Sequence, residues 1–403
     1  MVSSSQSKAY NPFWESMLDD PFPTYRWLRD EHPVYHIEEF DCWAVSRFED
    51  VMAISMDNDD FTIERGSAVG NLATRSLAAD TTLFMSMDPP RHTAYRRVLS
   101  PWFRPSRVAA LEPRLRQIVS TVMEPLVKRG TFDAVQDVAS RVGARVTAAI
   151  LGVPEEDADP LTQCVHRFQP YFHHRPPDDE ESIAFRDAAA GDLVGYFVEL
   201  SARRRREPGP QEDLVQVLID AETPDGPLDD LAVATNLMGL WVGGVETVPK
   251  HFGSLVFWLH EFPEQRARVV ADPALLAPAV EEALRYDAPT HMLGRTVARP
   301  RILHGVEMRE GQGVLLLYAS ANRDEREFDD PECFDVTRRP PRQLAFGGGT
   351  HLCLGLHVAR LESRLMLEAL LEAGPSYVLE SGVERCRLAG IHGYDAVPLS
   401  LRP

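Results

Sequence analysis

The stretch Phe346-Gly347-Gly348-Gly349-Thr350-His351-Leu352-Cys353-Leu354-Gly355 decides the reading of this 403-residue chain. It sets one cysteine in a glycine-rich loop directly ahead of an amphipathic helix expected over residues 354–373. Glycines accept positive φ and let the backbone come close to a ligand, so such a loop can wrap a flat group and turn N–H groups toward a sulfur. At a helix N-terminus the positive end of the dipole is expected to lower the thiol pKa of Cys353 and favour the metal-binding anion. By residue type alone a single cysteine is more often an inert core side chain. A dinucleotide-binding reading of the glycines fails, because Leu352 stands where the third glycine belongs.

Six positions, Phe346, Gly347, Gly349, His351, Cys353 and Gly355, together resemble the haem-binding loop of the cytochrome P450 family, Phe-Gly-x-Gly-x-His/Arg-x-Cys-x-Gly. Further landmarks follow in order, so the resemblance runs from about residue 12 to residue 398. It implies a mainly α-helical fold, a triangular helical body with small peripheral β-sheets, as a single domain over 1–403. It implies a haem b (iron protoporphyrin IX) held through the Cys353 sulfur, with O2 as co-substrate. Electrons are expected from NAD(P)H through an external ferredoxin and ferredoxin reductase, since no flavin or nicotinamide module fits in the chain.

The same resemblance assigns other residues. His92 and Arg96, four apart on one helical face, together with Arg295 and His351, would meet the two haem propionates, which persist in an interior only when paired. Glu282 and Arg285 stand i, i+3; alone such a pair is a solvated bridge of little worth. Within the family it buttresses the loop before the cysteine, here through Arg338. Gly243-Gly244-Val245-Glu246-Thr247 lies in a long apolar helix expected over 228–262. Two mid-helix glycines cost about 1 kcal/mol each, which fits either a helix–helix contact or a cavity kept free of side chains. The family pattern takes the second reading, with Thr247 as hydroxyl donor and Glu246 as its link to water for the protons that O–O cleavage needs. Val248 and Pro249 depart from that pattern. Pro249 cannot donate to the Val245 carbonyl, so a kink is expected there, with that carbonyl free for water or Thr247.

Composition narrows the alternatives. With 61 acidic against 42 basic residues the net charge is −19, which repels nucleic-acid phosphate. Five scattered cysteines without a Cys-x-x-Cys pair argue against a disulfide framework or zinc site and suit a reducing compartment. No leader or run of some 18 consecutive apolar residues is evident, so a cytoplasmic monomer without nucleic-acid or membrane partners is expected. Two stretches, 89–111 and 336–361, lack acids but carry five and four arginines. On the sulfur side of the haem, Arg97, Arg104, Arg107, Arg339, Arg342, Arg360 and Arg364 would steer an acidic electron carrier to that face.

Helical periodicity is expected over 48–56, 94–103, 108–127, 139–151, 183–204, 212–221 and 275–286, and strands over 34–37, 42–45, 294–297, 301–304 and 314–317, with hairpins in 377–401. His173-His174 beside Pro176-Pro177 reads as a lid loop, because adjacent histidines point apart. The pocket assigned by family position comprises Phe84, Met85, Phe168, Phe172, Met238, Leu240, Gly243, Thr247, Thr290, His291, Met292, Ile391 and His392. Gly239 and Gly243 on one face leave room, while His291 and His392 hint at a polar or anionic substrate group. The reading is a haem-thiolate monooxygenase that hydroxylates or epoxidises a moderately sized hydrophobic molecule in specialised metabolism or catabolism. Oxidative coupling, peroxide-driven oxidation and a non-enzymatic haem sensor are its rivals.

Overall fold

The computed structural model describes residues 9–74, 82–168, 180–207 and 213–402. The lid-loop histidines and Phe172 therefore lie outside the described residues, as does the side chain of Phe168. Helices make up most of the body, and the longest, Pro105–Arg129, Glu180–Arg206 and Leu356–Ala373, enclose the main hydrophobic cluster. Two smaller clusters lie under the N-terminal segment and around the largest sheet.

That sheet has the order Val34–Ile37, Cys42–Val45, Gly313–Leu316, Leu293–Val297, Phe61–Thr62. Gly313–Leu316 runs parallel to Cys42–Val45 and antiparallel to Leu293–Val297, with Val314 opposite Arg295. This pairing holds Arg295 in a fixed strand. The C-terminal stretch folds as two antiparallel pairs, Val378–Leu379 on Pro398–Ser400 and Glu384–Arg385 on Tyr394–Ala396. The expectation of hairpins holds for the second pair, whereas the first joins strands that are not consecutive and takes Thr131–Asp133 as a third strand.

Helices Phe22–Glu31, Ala158–Phe168 and Pro263–Ala271 were not expected from periodicity. Prolines at 21, 23 and 263 suggest coil, yet proline is well suited to a first helical turn, where its missing N–H has no partner to lose. The helix expected over 228–262 is two, Asp230–Val245 and Thr247–Glu261, interrupted at Glu246. The break is where the missing Pro249 N–H puts it, within one residue of Val245. Thr247, however, donates its hydroxyl to the Gly243 carbonyl at 3.0 Å and not to that of Val245. Together the two halves are long and apolar enough to cross a membrane, which the count of consecutive apolar residues misses. More than half of that apolar window is buried inside the fold.

A buried acid–base pair anchors the segment before the Cys353 loop, and a second buried acid stands unpaired. In helix Leu276–Tyr286, Glu282 and Arg285 have fully buried side chains and pair bidentately at 2.7 and 2.8 Å. Arg285 also donates to the carbonyls of Asn322, Pro331 and Cys333, and Glu282 accepts from the Asp335 N–H and, at 3.3 Å, from Arg338. The pair is thus structural and not a solvated surface bridge. Glu362, on the inner face of Leu356–Ala373, has no such partner: its Oε2 is buried without a hydrogen bond, and burial pushes its carboxyl up to about 8.

Removing one member of a buried pair leaves an uncompensated charge. Glu282→Ala should therefore cost about 3–5 kcal/mol in urea unfolding, far more than an exposed bridge would. For Glu362 the folded pKa lies above the ordinary carboxylate value of 4.5. Its stability contribution is complete below that value and is lost as pH rises through about 8. Glu362→Gln should match the parent's melting temperature at pH 4.5 and exceed it progressively up to pH 8. Parallel curves would contradict this.

Candidate active site

The loop around Cys353 is built by tight backbone geometry. Gly347 and Gly349 have φ of 69° and 68°, and a Cβ at Gly349 would sit 2.1 Å from the Ser55 carbonyl oxygen. The Cys353 N–H donates to the Phe346 carbonyl at 2.9 Å, closing the loop on itself. The Phe346 ring lies under the Arg360 guanidinium at 4.7 Å. Helix Leu356–Ala373 then starts, and the N–H groups of Gly355 and Leu356 point at the Cys353 sulfur.

Burial holds the Cys353 thiol above its ordinary pKa, although those two N–H groups, Arg96 and Arg360 all pull it down. The expected depression of this pKa is therefore corrected: desolvation outweighs the helix terminus. What the donors provide is a place where a thiolate becomes favourable once a cation binds it, because a coordinating thiol is deprotonated outright.

Cys353 opens onto a cavity of about 310 Å³ between the loop and helix Asp230–Val245. Cβ atoms at Gly243 and Gly355 would meet nothing within 4 Å, so both glycines face open space. The other glycines of the helix serve packing. Gly244 receives Thr147 from helix Ser140–Leu151, at 2.3 Å from a would-be Cβ. At Gly239 the space is filled by Leu83 and Met85, so this residue does not leave the room expected of it.

One end of the cavity is cationic. His92 and His351 stack at 4.0 Å between ring centroids, and both ring nitrogens of His92 and Nε2 of His351 are buried without partners. Desolvation comes first and the charges of Arg96 and Arg295 add to it, lowering His92 to about 4 and His351 to about 3. Arg96 donates to the Leu352 carbonyl at 2.5 Å and Arg295 to that of Gly294 at 3.0 Å, which leaves most of their N–H groups to other acceptors. Two guanidiniums and two orphaned imidazoles at one end, a sulfur on the floor and bare glycines above it fit a flat, metal-bearing group with two carboxylate arms. The residues present thus suit a haem.

Of the pocket residues expected from sequence, Phe84, Met85, Leu240, Gly243, Thr247 and Thr290 line this cavity. Asn236 fixes the first two, accepting from the Phe84 N–H at 3.0 Å and donating to the Thr82 carbonyl. Met238, His291, Met292, Ile391 and His392 do not line it. Met238 is partly buried and packs against the main hydrophobic cluster, and Met292 accepts from the Tyr10 hydroxyl at 3.7 Å. The chain pairs Thr290 with Ile391 in a β-bridge, and extended backbone sends neighbouring side chains to opposite faces. With Thr290 inward, His291 turns away and stacks on His392 at 3.7 Å, near the buried Asp287 carboxylate. The hint of a polar or anionic substrate group falls with it.

Sequence reasoning missed Ile63, Ser67, Leu293 and Glu362 on the wall. Glu362 had a signal, since it shares the apolar spacing of Val358, Leu365 and Met366. The arginine patch is also smaller than expected. Arg342 pairs with Glu327 and Glu49, Arg360 with Glu281 and Arg364 with Glu112, while Arg107 lies over Trp102 at 4.3 Å. Among the described residues Arg97, Arg104 and Arg339 make no ion pair.

Glu246 faces away from this cavity, although its neighbour Thr247 lines it.

Known proteins resemble this chain along most of its length. The family model described as Cytochrome P450 matches residues 268–373, which include the cysteine loop and the Glu282–Arg285 helix. The putative cytochrome P450 123 of Mycobacterium bovis is 33% identical over 398 residues, covering 97% of this chain and 96% of that protein. Cytochrome P450 130 of Mycobacterium tuberculosis is 36% identical over 379 residues, covering 90% of this chain and 91% of its own. Among solved structures, P450BioI in complex with an acyl carrier protein ligated to hexadec-9Z-enoic acid superposes with a TM-score of 0.86 at 27% identity. It covers 96% of this chain and 100% of that one. The chain belongs to the cytochrome P450 family of haem monooxygenases.

Proposed function

We propose that this protein hydroxylates or epoxidises a moderately sized hydrophobic small molecule in the cytoplasm, using electrons from NAD(P)H relayed by a ferredoxin reductase and a ferredoxin. The observation that carries the reading is Cys353, whose buried sulfur receives two backbone N–H groups on the floor of an apolar cavity. Bound there, a haem supplies oxygen activation at an iron whose electron density the thiolate raises. His92, Arg96, Arg295 and His351 would hold its carboxylate arms, and Phe346, Gly347 and Gly355 would let it lie flat against the loop.

The protein's own groups then shape the reaction. Ile63, Phe84, Met85, Leu240 and Leu293 make an apolar wall, which takes up a substrate by removing its hydrocarbon surface from water. Ser67 and Thr290 are the polar points able to orient it. Thr247 holds a hydroxyl at the cavity's edge and Glu246 stands one residue before it, an acid–alcohol pair suited to passing protons inward. That pair favours oxygen over peroxide as the oxidant, since peroxide needs no such supply. An electron carrier with an acidic face would meet Arg97, Arg104 and Arg339, which make no ion pair among the described residues.

The holoprotein, reduced under carbon monoxide, should absorb at the long-wavelength position of a thiolate-ligated haem, and Cys353→Ser should abolish that band. A histidine-type band in the parent, or no change in the variant, would end the proposal. Turnover should require ferredoxin, reductase and NAD(P)H, with peroxide a poor substitute. A hydrogen bond to a charged group contributes about 1.5–3 kcal/mol. Arg295→Ala and His351→Ala should therefore each speed haem transfer to apomyoglobin by about 10- to 100-fold while the carbon-monoxide band stays in place.

A further inference from the structure

Asn236, Gly239 and Gly243 follow one another at helical spacing on the face of Asp230–Val245 that meets the segment 82–86 and the cavity. Asn236 is fully buried, and both of its N–H donors and its oxygen are engaged. Its Nδ2 donates to the Ala232 carbonyl of its own helix and to the Thr82 carbonyl, each at 2.8 Å, while Oδ1 accepts from the Phe84 N–H at 3.0 Å. The bond to Ala232, one turn back, fixes the direction of the side chain. The other two grip the backbone on either side of Leu83. One turn further on, Gly239 provides a slot: a Cβ there would stand 2.6 Å from Leu83 Cδ1 and 2.9 Å from Met85 Cε. After another turn, a Cβ at Gly243 would meet nothing within 4 Å. Along one helical face the chain thus sets a polar grip, an apolar slot and open space.

The gripped segment carries part of the cavity wall. Phe84 is buried and stacks on His92 at 6.3 Å with 15° between the rings, and Phe84 and Met85 both line the cavity. Met85 is 37% exposed, so its thioether chain lies between cavity and solvent. Residues 84–86 form a single 3-10 turn, and one such turn is too short to hold a position by its own hydrogen bonds. An asparagine inside a helix is a cost, because its amide competes for backbone groups. Here that competition is directed to a second segment. We propose that Asn236 is the positioning residue that sets the size selectivity of this cavity. By clamping the backbone around Leu83 it seats Leu83 and Met85 in the Gly239 slot and holds Phe84 and Met85 as a fixed wall beside Gly243. The substrates favoured are those whose hydrocarbon part ends where this wall stands. The proposal rests on the reading of the cavity as the place where a hydrophobic substrate is held next to the haem.

Without the amide, the Thr82 carbonyl and the Phe84 N–H must find water, and water reaches them only if the segment lifts from helix Asp230–Val245. Lifting withdraws Leu83 and Met85 from the slot and enlarges the room next to Gly243. Each methylene taken out of water adds about fourfold to affinity, so a homologous series of tails measures where the wall stands. Affinity climbs by that factor until the tail meets Phe84 and Met85, and stops climbing there.

The test uses the ferric holoprotein and a series of 1-alkylimidazoles with tails from methyl to dodecyl, whose binding is read from the Soret band. In the parent, affinity should rise about fourfold per methylene and then break. In Asn236→Leu, and in Asn236→Ala, which leaves room for water, the break should move to tails about two or more carbons longer. The longest tails should then gain about 10-fold in affinity relative to the short ones. Hydrogen exchange at the Phe84 amide should quicken by about 10-fold in both variants. Gly239→Ala keeps the grip but fills the slot, so it should move the break without quickening that amide, and it carries the test if neither Asn236 variant folds. A break at the parent's tail length in these variants overturns the proposal, even if every affinity falls, because lost stability alone weakens all homologues alike. A Phe84 amide that exchanges as in the parent in both Asn236 variants overturns it as well. If affinity in the parent does not depend on tail length at all, the reading of the cavity as a hydrophobic substrate site fails instead.

Discussion

The Cys353 sulfur sits where a negative charge is hardest to keep, shielded from water at the bottom of a cavity. Desolvation keeps the thiol neutral, and two backbone N–H groups with two guanidiniums bring it only part of the way back. A metal cation closes the difference, and much of the surrounding structure can be understood as preparation for it. Gly347 and Gly349 allow the loop to press against Ser55, and the buried Glu282–Arg285 pair fixes the segment that leads into it. Gly243 and Gly355 keep side chains out of the space above and beside the sulfur.

The same logic of unmet charge applies at the cavity's other end. His92 and His351 are held neutral by burial and by neighbouring arginines, with no carboxylate among the described residues hydrogen-bonded to them. Buried polar atoms without partners are rare in folded proteins. Here they cluster within one ring-stacking distance of each other and beside Arg96 and Arg295. A cluster of that kind gains most from anions brought in by a ligand, which is why the imidazoles and the sulfur describe one occupant together.

How much was legible in advance follows from the range of each signal. The cysteine loop, the strand of Arg295 and the break near Pro249 depend on local backbone chemistry, so their residues announce them. Side-chain direction is less local. His291 and His392 stand next to cavity residues in sequence, but the Thr290–Ile391 bridge turns them outward and stacks them on each other. Gly239 and Gly243 share a helical face, yet Leu83 and Met85 arrive from another segment to fill the first. Glu362 could have been found, since it occupies an apolar position of an amphipathic helix; an acid there is a cost that periodicity alone exposes. Lys250 had a partial signal, since it stands four residues after Glu246 on a helical face, but its other partner Asp395 lies 145 positions away.

Charge is therefore distributed here by need and not by sign. The molecule carries a net −19, and Arg342, Arg360 and Arg364 of the expected patch are committed to acids of the chain itself. Of that set, and among the described residues, Arg97, Arg104 and Arg339 make no ion pair, and in the cavity Arg96 and Arg295 bond to carbonyls. On an acidic surface a few unpaired cations stand out against a repulsive background. Any acidic partner would be repelled by most faces of such a molecule and admitted at few. Glu246 shows the same economy: burial raises its pKa first, and Lys250, 3.9 Å away, is the cation that pulls it back down.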